Sequence, residues 1–470
     1  MRVSLAALLA GSVLAVAGCG GSESAATGGQ GAASIAPKSA ALYASINTDL
    51  DSEQVNQLEE LLAKFPDRER LFAEIQSGLA DDNVSWETDI KPALGETLDL
   101  VLLDFASGSA VGILKPADKE KLEALLAKGD EPTVSREIDG WTVVADDEAT
   151  LDRFETARSQ GTLEGDAGFE DAMDGLPDEA LAKLYVGGAA VTKAAEGAGA
   201  TSSTNRLKAF AAAIGAESSG IRLDGALTAE LEDSLASMAP YQAKLLEAAP
   251  EDALAFISGN GQDNIAKSLR DAPGAFNQFR DMLGIDIQGL ANLFEGEFAF
   301  WVGKGAPIPE VTFLAEVSDE KPALTALDRL AGLIPAQTGA QTRTTQIDGV
   351  QAKQVLLDGF PITYAAFDGK VIVTTRPGAI SDIRDTGDDS LADDPDFKQA
   401  TEDANMGDET FGFVYLDIEA LAGLVEGFAG LSGESIPPEV ARNLEPLGAF
   451  LLSSGGTPED LKLSAFLSIK

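Results

Sequence analysis

The densest carboxylate run in the chain is DTGDDSLADDPDF (385–397), which carries Asp385, Asp388, Asp389, Asp393, Asp394 and Asp396. A hard cation such as Ca²⁺ takes about six to eight oxygen ligands, and a loop this acidic supplies several. Asp388, Asp389, Asp393 and Asp394 are therefore the metal candidates. The same residues also fit a helix start. An aspartate ahead of Pro395 caps the first turn and complements its dipole, while Phe397 anchors the turn in a core. The cap is the favoured reading. Asp49, Asp51, Glu53 and Glu60 likewise fall at positions 1, 3, 5 and 12 of an EF-hand loop. Position 6 needs Gly for its sharp turn, but Gln54 stands there. Val55, Leu58, Leu61 and Leu62 continue as one apolar helical face, so Asp51 or Ser52 is expected to be an N-cap instead.

Other catalytic patterns fall away on inspection. Ser318 and Lys321 match S-x-x-K, but the S-D-N and K-T-G motifs that penicillin-binding enzymes also need do not occur. Ser318 is expected to cap a helix. No G-x-S-x-G elbow, Walker loop or strand-borne G-x-G-x-x-G is present. The chain has no His, which removes the commonest general base near neutral pH and the commonest transition-metal ligand. One cysteine allows no internal disulfide, thiolate zinc site or iron–sulfur cluster. Carboxylate pairs are uninformative among 77 acids, and no cofactor is expected.

That single cysteine, Cys19, follows Arg2 and an apolar run from Val3 to Ala17. The run is shorter than the ~20 residues of a membrane span and has the charged start and small-residue exit of a secretory signal. The exit, Val16-Ala17-Gly18-Cys19, resembles the lipobox of bacterial lipoproteins. That resemblance implies diacylglycerol on the Cys19 sulfur, cleavage between Gly18 and Cys19, and acylation of the new amino terminus. Several acyl chains together make a stable anchor, where one holds only marginally. The expected location is the extracytoplasmic face of the cell membrane.

What is held there is acidic. Against the 77 acids stand 34 Lys and Arg, a net charge of −43, which disfavours nucleic acid and anionic headgroups as partners. Hydrophobic residues make up 44% of the 470, enough for a large core in more than one domain.

The elements come in two matching series. Pro37 to Asn47 is echoed by Pro250 to Asn260. Gly95-Glu96 precedes one strand and Gly296-Glu297 another. Asp139-Gly140 matches Asp368-Gly369, and acidic loops lead to Phe169 and Phe397 before strands around Tyr185 and Tyr415. Each half is expected to end in an Ala-Phe helix, at Ala209-Phe210 or Ala449-Phe450, and a terminal strand. The organisation expected is a signal peptide (1–18), a flexible tether (19–36) and two homologous α+β units of mostly antiparallel sheet with packed helices (37–245 and 250–470). A helical stretch over 232–248 is expected to join the units. Hairpin-like spacings argue against a parallel sheet.

Pro37 to Asn47, LEELLAKFPD (58–67) and SLADDPDF (390–397) carry a further likeness. With them the chain resembles an uncharacterised family of actinobacterial surface lipoproteins, known as a domain of unknown function. The resemblance implies a lipid-anchored exported protein and supplies no catalytic residues.

The function expected is non-enzymatic binding of an envelope protein or ligand. A variant of that reading is a carrier of an apolar envelope molecule, with Phe298, Phe300, Trp301, Phe313, Phe411, Phe413 and Tyr415 lining a cavity. The alternative from another class is a cation-dependent hydrolase using carboxylates.

Overall fold

The computed structural model describes residues 31–129, 132–197, 206–231, 236–262, 292–305, 308–338, 342–357, 360–384, 389–432 and 436–470; Gly18, Cys19 and Asp388 lie outside them. The first half supplies β1 (Leu42–Asn47), β2 (Thr97–Asp104), β3 (Ser109–Leu114), β4 (Val134–Ile138), β5 (Trp141–Ala145), β6 (Ala182–Gly187), β7 (Arg206–Glu217) and β8 (Gly220–Glu230). The second supplies β9 (Ala255–Asn260), β10 (Glu297–Gly303), β11 (Glu310–Glu316), β12 (Thr342–Ile347), β13 (Val350–Leu357), β14 (Phe360–Phe367), β15 (Lys370–Thr374), β16 (Gly412–Asp417), β17 (Leu447–Gly456) and β18 (Asp460–Ile469).

All pairings are antiparallel. The first half runs β4-β5-β3-β2-β1-β6-β7-β8. The second runs β12-β13-β14-β15-β11-β10-β9-β16-β17-β18. The two series join where β8 pairs with β18, in an unbroken ladder from Gly220↔Ser468 to Thr228↔Asp460. The mixed α+β fold with its duplicated antiparallel halves is as expected, and the halves share one continuous sheet.

Turn chemistry explains the hairpins. Asp139-Gly140, Asp348-Gly349 and Asp368-Gly369 all have positive φ at both residues, the geometry of a type I′ turn. The middle pair builds β12–β13, an extra hairpin with no counterpart among the described residues of the first half. The two Gly-Glu landmarks also have a steric cause. A Cβ on Gly95 would lie 1.9 Å from the Lys115 carbonyl oxygen, and one on Gly296 would lie 2.9 Å from that of Glu316. Only glycine lets the chain pass so close to the neighbouring strand.

The helices are α1 (Glu53–Ala63), α2 (Arg68–Asp81), α3 (Lys119–Leu126), α4 (Glu148–Arg158), α5 (Ala167–Met173), α6 (Gly188–Gly197), α7 (Glu320–Thr338), α8 (Ala379–Arg384), α9 (Pro395–Asp403), α10 (Ile418–Ser432) and α11 (Pro438–Leu444). Side chains alternate across the sheet, giving a front and a back face. On the front, α4 and α5 cover Tyr43, Val143 and Tyr185 in the first half, and α8 and α9 cover Phe256, Trp301 and Tyr415 in the second. On the back, α2 and α3 cover Leu98 and Leu114, and α7 covers Tyr364 and Val371. Helix α1 brings Val55 and Leu61 against Ala216 and Ile469, so this back cluster straddles both halves.

Three expectations are corrected. Ala209-Phe210 and Ala449-Phe450 lie on strands β7 and β17, not on helices. Alanine favours helices by propensity, but Ala209, Ala211 and Ala213 alternate onto the front face, where they are buried with Phe169 and Ala172 of α5. Residues 31–36, placed in the tether, form a 3-10 turn at Gly31–Ser34 and bury Ala32, Ala33, Ile35 and Ala36 in the first core. Of the expected linker helix, the described residues keep a helical Ala236 and a 3-10 turn at Lys244–Ala248, with non-helical chain between them. That turn packs Leu245 into the second core, as residues 31–36 do in the first.

Candidate functional site

Each half has a carboxylate buried under its entering turn. In the first, Asp99 is fully buried on β2 and accepts a 2.6 Å hydrogen bond from the Tyr43 hydroxyl and a 3.0 Å bond from Thr97. Burial pushes the Asp99 carboxyl up and the Tyr43 hydroxyl well up; the donors around Asp99, including the Ala32 N–H, pull the carboxyl back down. In the second half Glu297 sits on β10, 3% exposed, and accepts from the N–H groups of Lys244 (3.1 Å) and Leu245 (2.8 Å). Burial pushes its carboxyl up to about 7. By strand register Asp99 corresponds to Ala299, so the carboxylate has moved two residues along the strand and still receives the entering turn. Its role is structural: it satisfies buried N–H groups.

A second buried network belongs to the second half alone. Glu310, 3% exposed, accepts from the Trp301 indole and the Thr312 hydroxyl, both at 3.1 Å, and pairs with Arg376. Thr312 and Thr374 are 2.7 Å apart, and Arg376 reaches Asp382 at 2.5 Å. The register places Val101, Val111 and Ala145 at the positions of Trp301, Thr312 and Thr374 in the first half, so the network replaces an apolar core layer.

Of the acidic candidates, Asp393 and Asp394 are spent on local structure. Asp394 caps α9 by accepting from Phe397 N–H at 2.7 Å. Asp393 accepts from the Ser390 hydroxyl at 3.2 Å and lies 3.5 Å from Lys398. The Asp389 carbonyl accepts from Glu251 N–H at 3.3 Å; Asp388 and Asp385 are outside the described residues. Asp166 caps α5 in the same way, through Phe169 N–H at 3.1 Å. In the other acidic stretch, Ser52 is the N-cap of α1 and the Asp49 side chain accepts from Asp51 N–H. Among the described residues no cluster of three or more carboxylates or Cys is placed to hold a metal ion. Ser318 donates to Glu295 at 2.8 Å, and Asp319 rather than Ser318 accepts at the start of α7, from Lys321 N–H.

The strand aromatics divide by parity. Trp301, Phe413 and Tyr415 pack in the front core, while Phe298 and Phe313 meet Phe294 on the back. They do not line one chamber. An apolar cavity of about 30 Å³ does lie by α3, bordered by Leu98, Leu114, Leu122, Leu126 and Val144. That is well below the ~150 Å³ of an apolar cavity that takes up benzene, too small for an acyl chain.

The seam is different on its two faces. On the back, the register lines up Ile214, Leu223, Ala465, Leu452, Val414 and Ile257 in a single transverse row, one residue per strand. The row continues to Leu98 and Leu114 on one side and to Phe300 and Phe313 on the other, with no charged side chain between. Its ends are covered, but Leu223 and Ile257 in the middle are 40% and 41% exposed. On the front, Asp224 accepts from Ser464 across the seam at 3.2 Å. Beside it Arg222 of β8 stacks over the Phe466 ring at 5.4 Å and donates to the carbonyl of Asp403, the last residue of α9. Next to these lies a polar hollow of about 100 Å³, whose lining includes Asn405, Glu409, Ser453, Lys462 and Ser464. None of this was marked by a sequence motif: the row and the hollow exist only once strands far apart in the chain are paired.

The architecture is that of a duplicated α+β protein whose two halves share one antiparallel sheet. The family described as "Protein of unknown function (DUF3352)" matches residues 3–128 and 120–469, and the chain belongs to it. No curated protein matches at a significant level. Among solved structures, crystal form IV of TP0453 shares 12% identity, covering 48% of this chain and 78% of that one with a TM-score of 0.23. Crystal form III gives 11%, 49%, 80% and 0.24. Overlaps of that size carry no statement about shared fold or function.

Proposed function

We propose that the protein is a lipid-anchored, extracytoplasmic binding protein without catalytic activity, and that it holds an apolar envelope molecule against the back face of its sheet. The observation that carries this reading is the uncharged transverse row in which Leu223 and Ile257 stand 40% and 41% exposed, in a chain of net charge −43. Exposed apolar side chains in an uncharged row mark a contact surface, here at two points with Ala465, 5% exposed, between them. The lipobox-like Val16 to Cys19 supports the anchor, and the lack of His and of catalytic motifs supports the absence of turnover. Among the described residues no helix is long and apolar enough to cross a membrane, so none of them supplies a competing anchor.

Native mass spectrometry of the mature protein taken from its own membrane tests both parts. The expected spectrum shows acylated Cys19 at the amino terminus and a co-purifying apolar molecule that disappears in Leu223→Glu with Ile257→Glu. Protein that repeatedly arrives empty sinks the apolar-ligand reading, and turnover of an envelope substrate by the purified body sinks the non-enzymatic one.

A further inference from the structure

Among the described residues β4 pairs only with β5 and β12 only with β13, so these two strands are the edges of the shared sheet. An edge strand presents unpaired main-chain groups that invite pairing, and charged side chains are a common guard against it. Strand β4 is guarded. Its exposed Glu137 pairs with Lys119 at 2.7 Å, and Arg136 beside it is held by Glu148, Asp152 and Glu155. Strand β12 reads Thr-Arg-Thr-Thr-Gln-Ile, with no acid, no Pro and an unbroken register against β13. Its one charge is turned aside, since Arg343 Nε donates to the Gln354 side chain of β13 at 2.9 Å.

The Asp348-Gly349 turn fixes which groups are left over. In a two-residue type I′ hairpin the flanking residues, here Ile347 and Val350, form a hydrogen-bonded pair. Alternation then commits Thr345 and Arg343 to β13 and turns the N–H and C=O of Thr342, Thr344 and Gln346 outward. All three residues are exposed, and no main-chain partner on that side is present among the described residues. Charge says what can approach. No acid lies between Asp328 and Asp348, and the two strands of the hairpin carry only Arg343 and Lys353, in a chain of net charge −43. Two copies of so acidic a body repel each other least where their acids are absent. We propose that β12 pairs with β12 of a second copy, antiparallel about a two-fold axis, so that two sheets join edge to edge. Centring the pair on Thr344 sets Thr342 against Gln346 and forms about six main-chain hydrogen bonds. It also sets Arg343 against Thr345, so no like charges stand directly opposite. The chain uses the same mode internally, where β8 and β18 join its related halves. The surface is separate from the apolar back face and stands or falls independently of it.

Sedimentation equilibrium of the full chain, with detergent micelles in excess and protein carried into the millimolar range, tests this. A ladder this short buries little surface, so the expected result is a weak monomer–dimer equilibrium. Thr344→Pro removes an outward N–H and no bond to β13, and should weaken the dimer by roughly tenfold or more while the chain still folds. Thr344→Lys sets two ammonium groups opposite each other and should have the same effect without a backbone change. Thr344→Cys tests the register. A hydrogen-bonded pair holds its Cα atoms ~5.5 Å apart, within disulfide reach, so this variant should oxidise to a covalent dimer faster than Gln346→Cys, whose copies lie farther apart along the ladder. Wild-type protein that stays monomeric over the whole range overturns the proposal. So does a dimer that Thr344→Pro and Thr344→Lys both leave intact, or a β12 edge found occupied by a foreign peptide.

Discussion

Arg222 of the first half donates to the main-chain carbonyl of Asp403, where helix α9 of the second half ends. A cation at a helix C-terminus satisfies an orphan carbonyl and complements the dipole. The opposite contact is looser: Lys462 extends toward Gly175, just beyond α5, where a Cβ would lie 2.4 Å from its ammonium. The clasp also has a back-face counterpart, since Lys64 donates to the Ile469 carbonyl at 2.8 Å and Asp67 meets Asn443 at 3.0 Å.

Arg222→Met keeps much of the stem over Phe466 and removes the donors. It is expected to cost about 1–3 kcal/mol, the range for losing a hydrogen bond with a charged partner. Lys462→Met should cost less than about 0.5 kcal/mol, as for a surface change that breaks no contact. Urea unfolding of the two variants compares them directly. Equal losses would mean that the Asp403 contact contributes nothing to stability.

The Tyr43–Asp99 pair gives a second expectation. Tyr43→Phe leaves a buried carboxyl without one of its donors and should cost about 1–3 kcal/mol. In an Asp99→Asn background, where no charge is stranded, the same change should cost less. A double-mutant cycle that shows simple additivity would deny the coupling.

Much of this arrangement was readable in the sequence, and the reason is local. Asp-Gly turns, the Asp166 and Asp394 caps, and the Phe169 and Phe397 anchors depend on residues a few positions apart. Phe169 meets Tyr185 edge-on at 5.0 Å and Phe397 meets Tyr415 at 5.1 Å, so the landmarks of the duplication are the same contact made twice. What was not readable depends on distant partners. Residues 31–36 read as a small-residue tether because the core that buries them is supplied by Tyr43, Val101 and Leu163. The Ala-rich β7 read as helix because its strand neighbours, β6 and β8, outweigh propensity. The joining of β8 to β18 leaves no composition signal, since main-chain hydrogen bonds carry it. The Ser453, Lys462 and Glu409 hollow follows from that pairing and was equally invisible.

Asp394 separates the cap from the cation reading. Asp394→Ala should cost about 1 kcal/mol, as for loss of an N-cap, through the Phe397 N–H it leaves unpaired. Melting curves with and without Ca²⁺ or Mg²⁺ should coincide for wild type and variant alike. A cation-dependent rise in melting temperature that Asp393→Asn with Asp394→Asn abolishes would restore the metal site and, with it, the hydrolase.

Glu297 makes stability depend on pH in a direction opposite to that of a salt-bridged carboxylate. Its carboxyl titrates near 7 in the folded protein, raised by burial from its ordinary 4.5, with Glu316 adding to the rise and the N–H donors and Lys244 opposing it. Between those two values the folded state binds the proton more tightly than the unfolded chain, so stability falls as pH rises. The contribution is present in full below about pH 4.5 and is lost by the time pH has passed about 7. Asp99, also raised by burial, adds a slope of the same sign. Glu297→Gln should therefore flatten the fall in melting temperature between these limits while leaving the Asp99 share. Wild type and variant with parallel melting-temperature profiles across that window would show that Glu297 is not held protonated beneath the 244–248 turn.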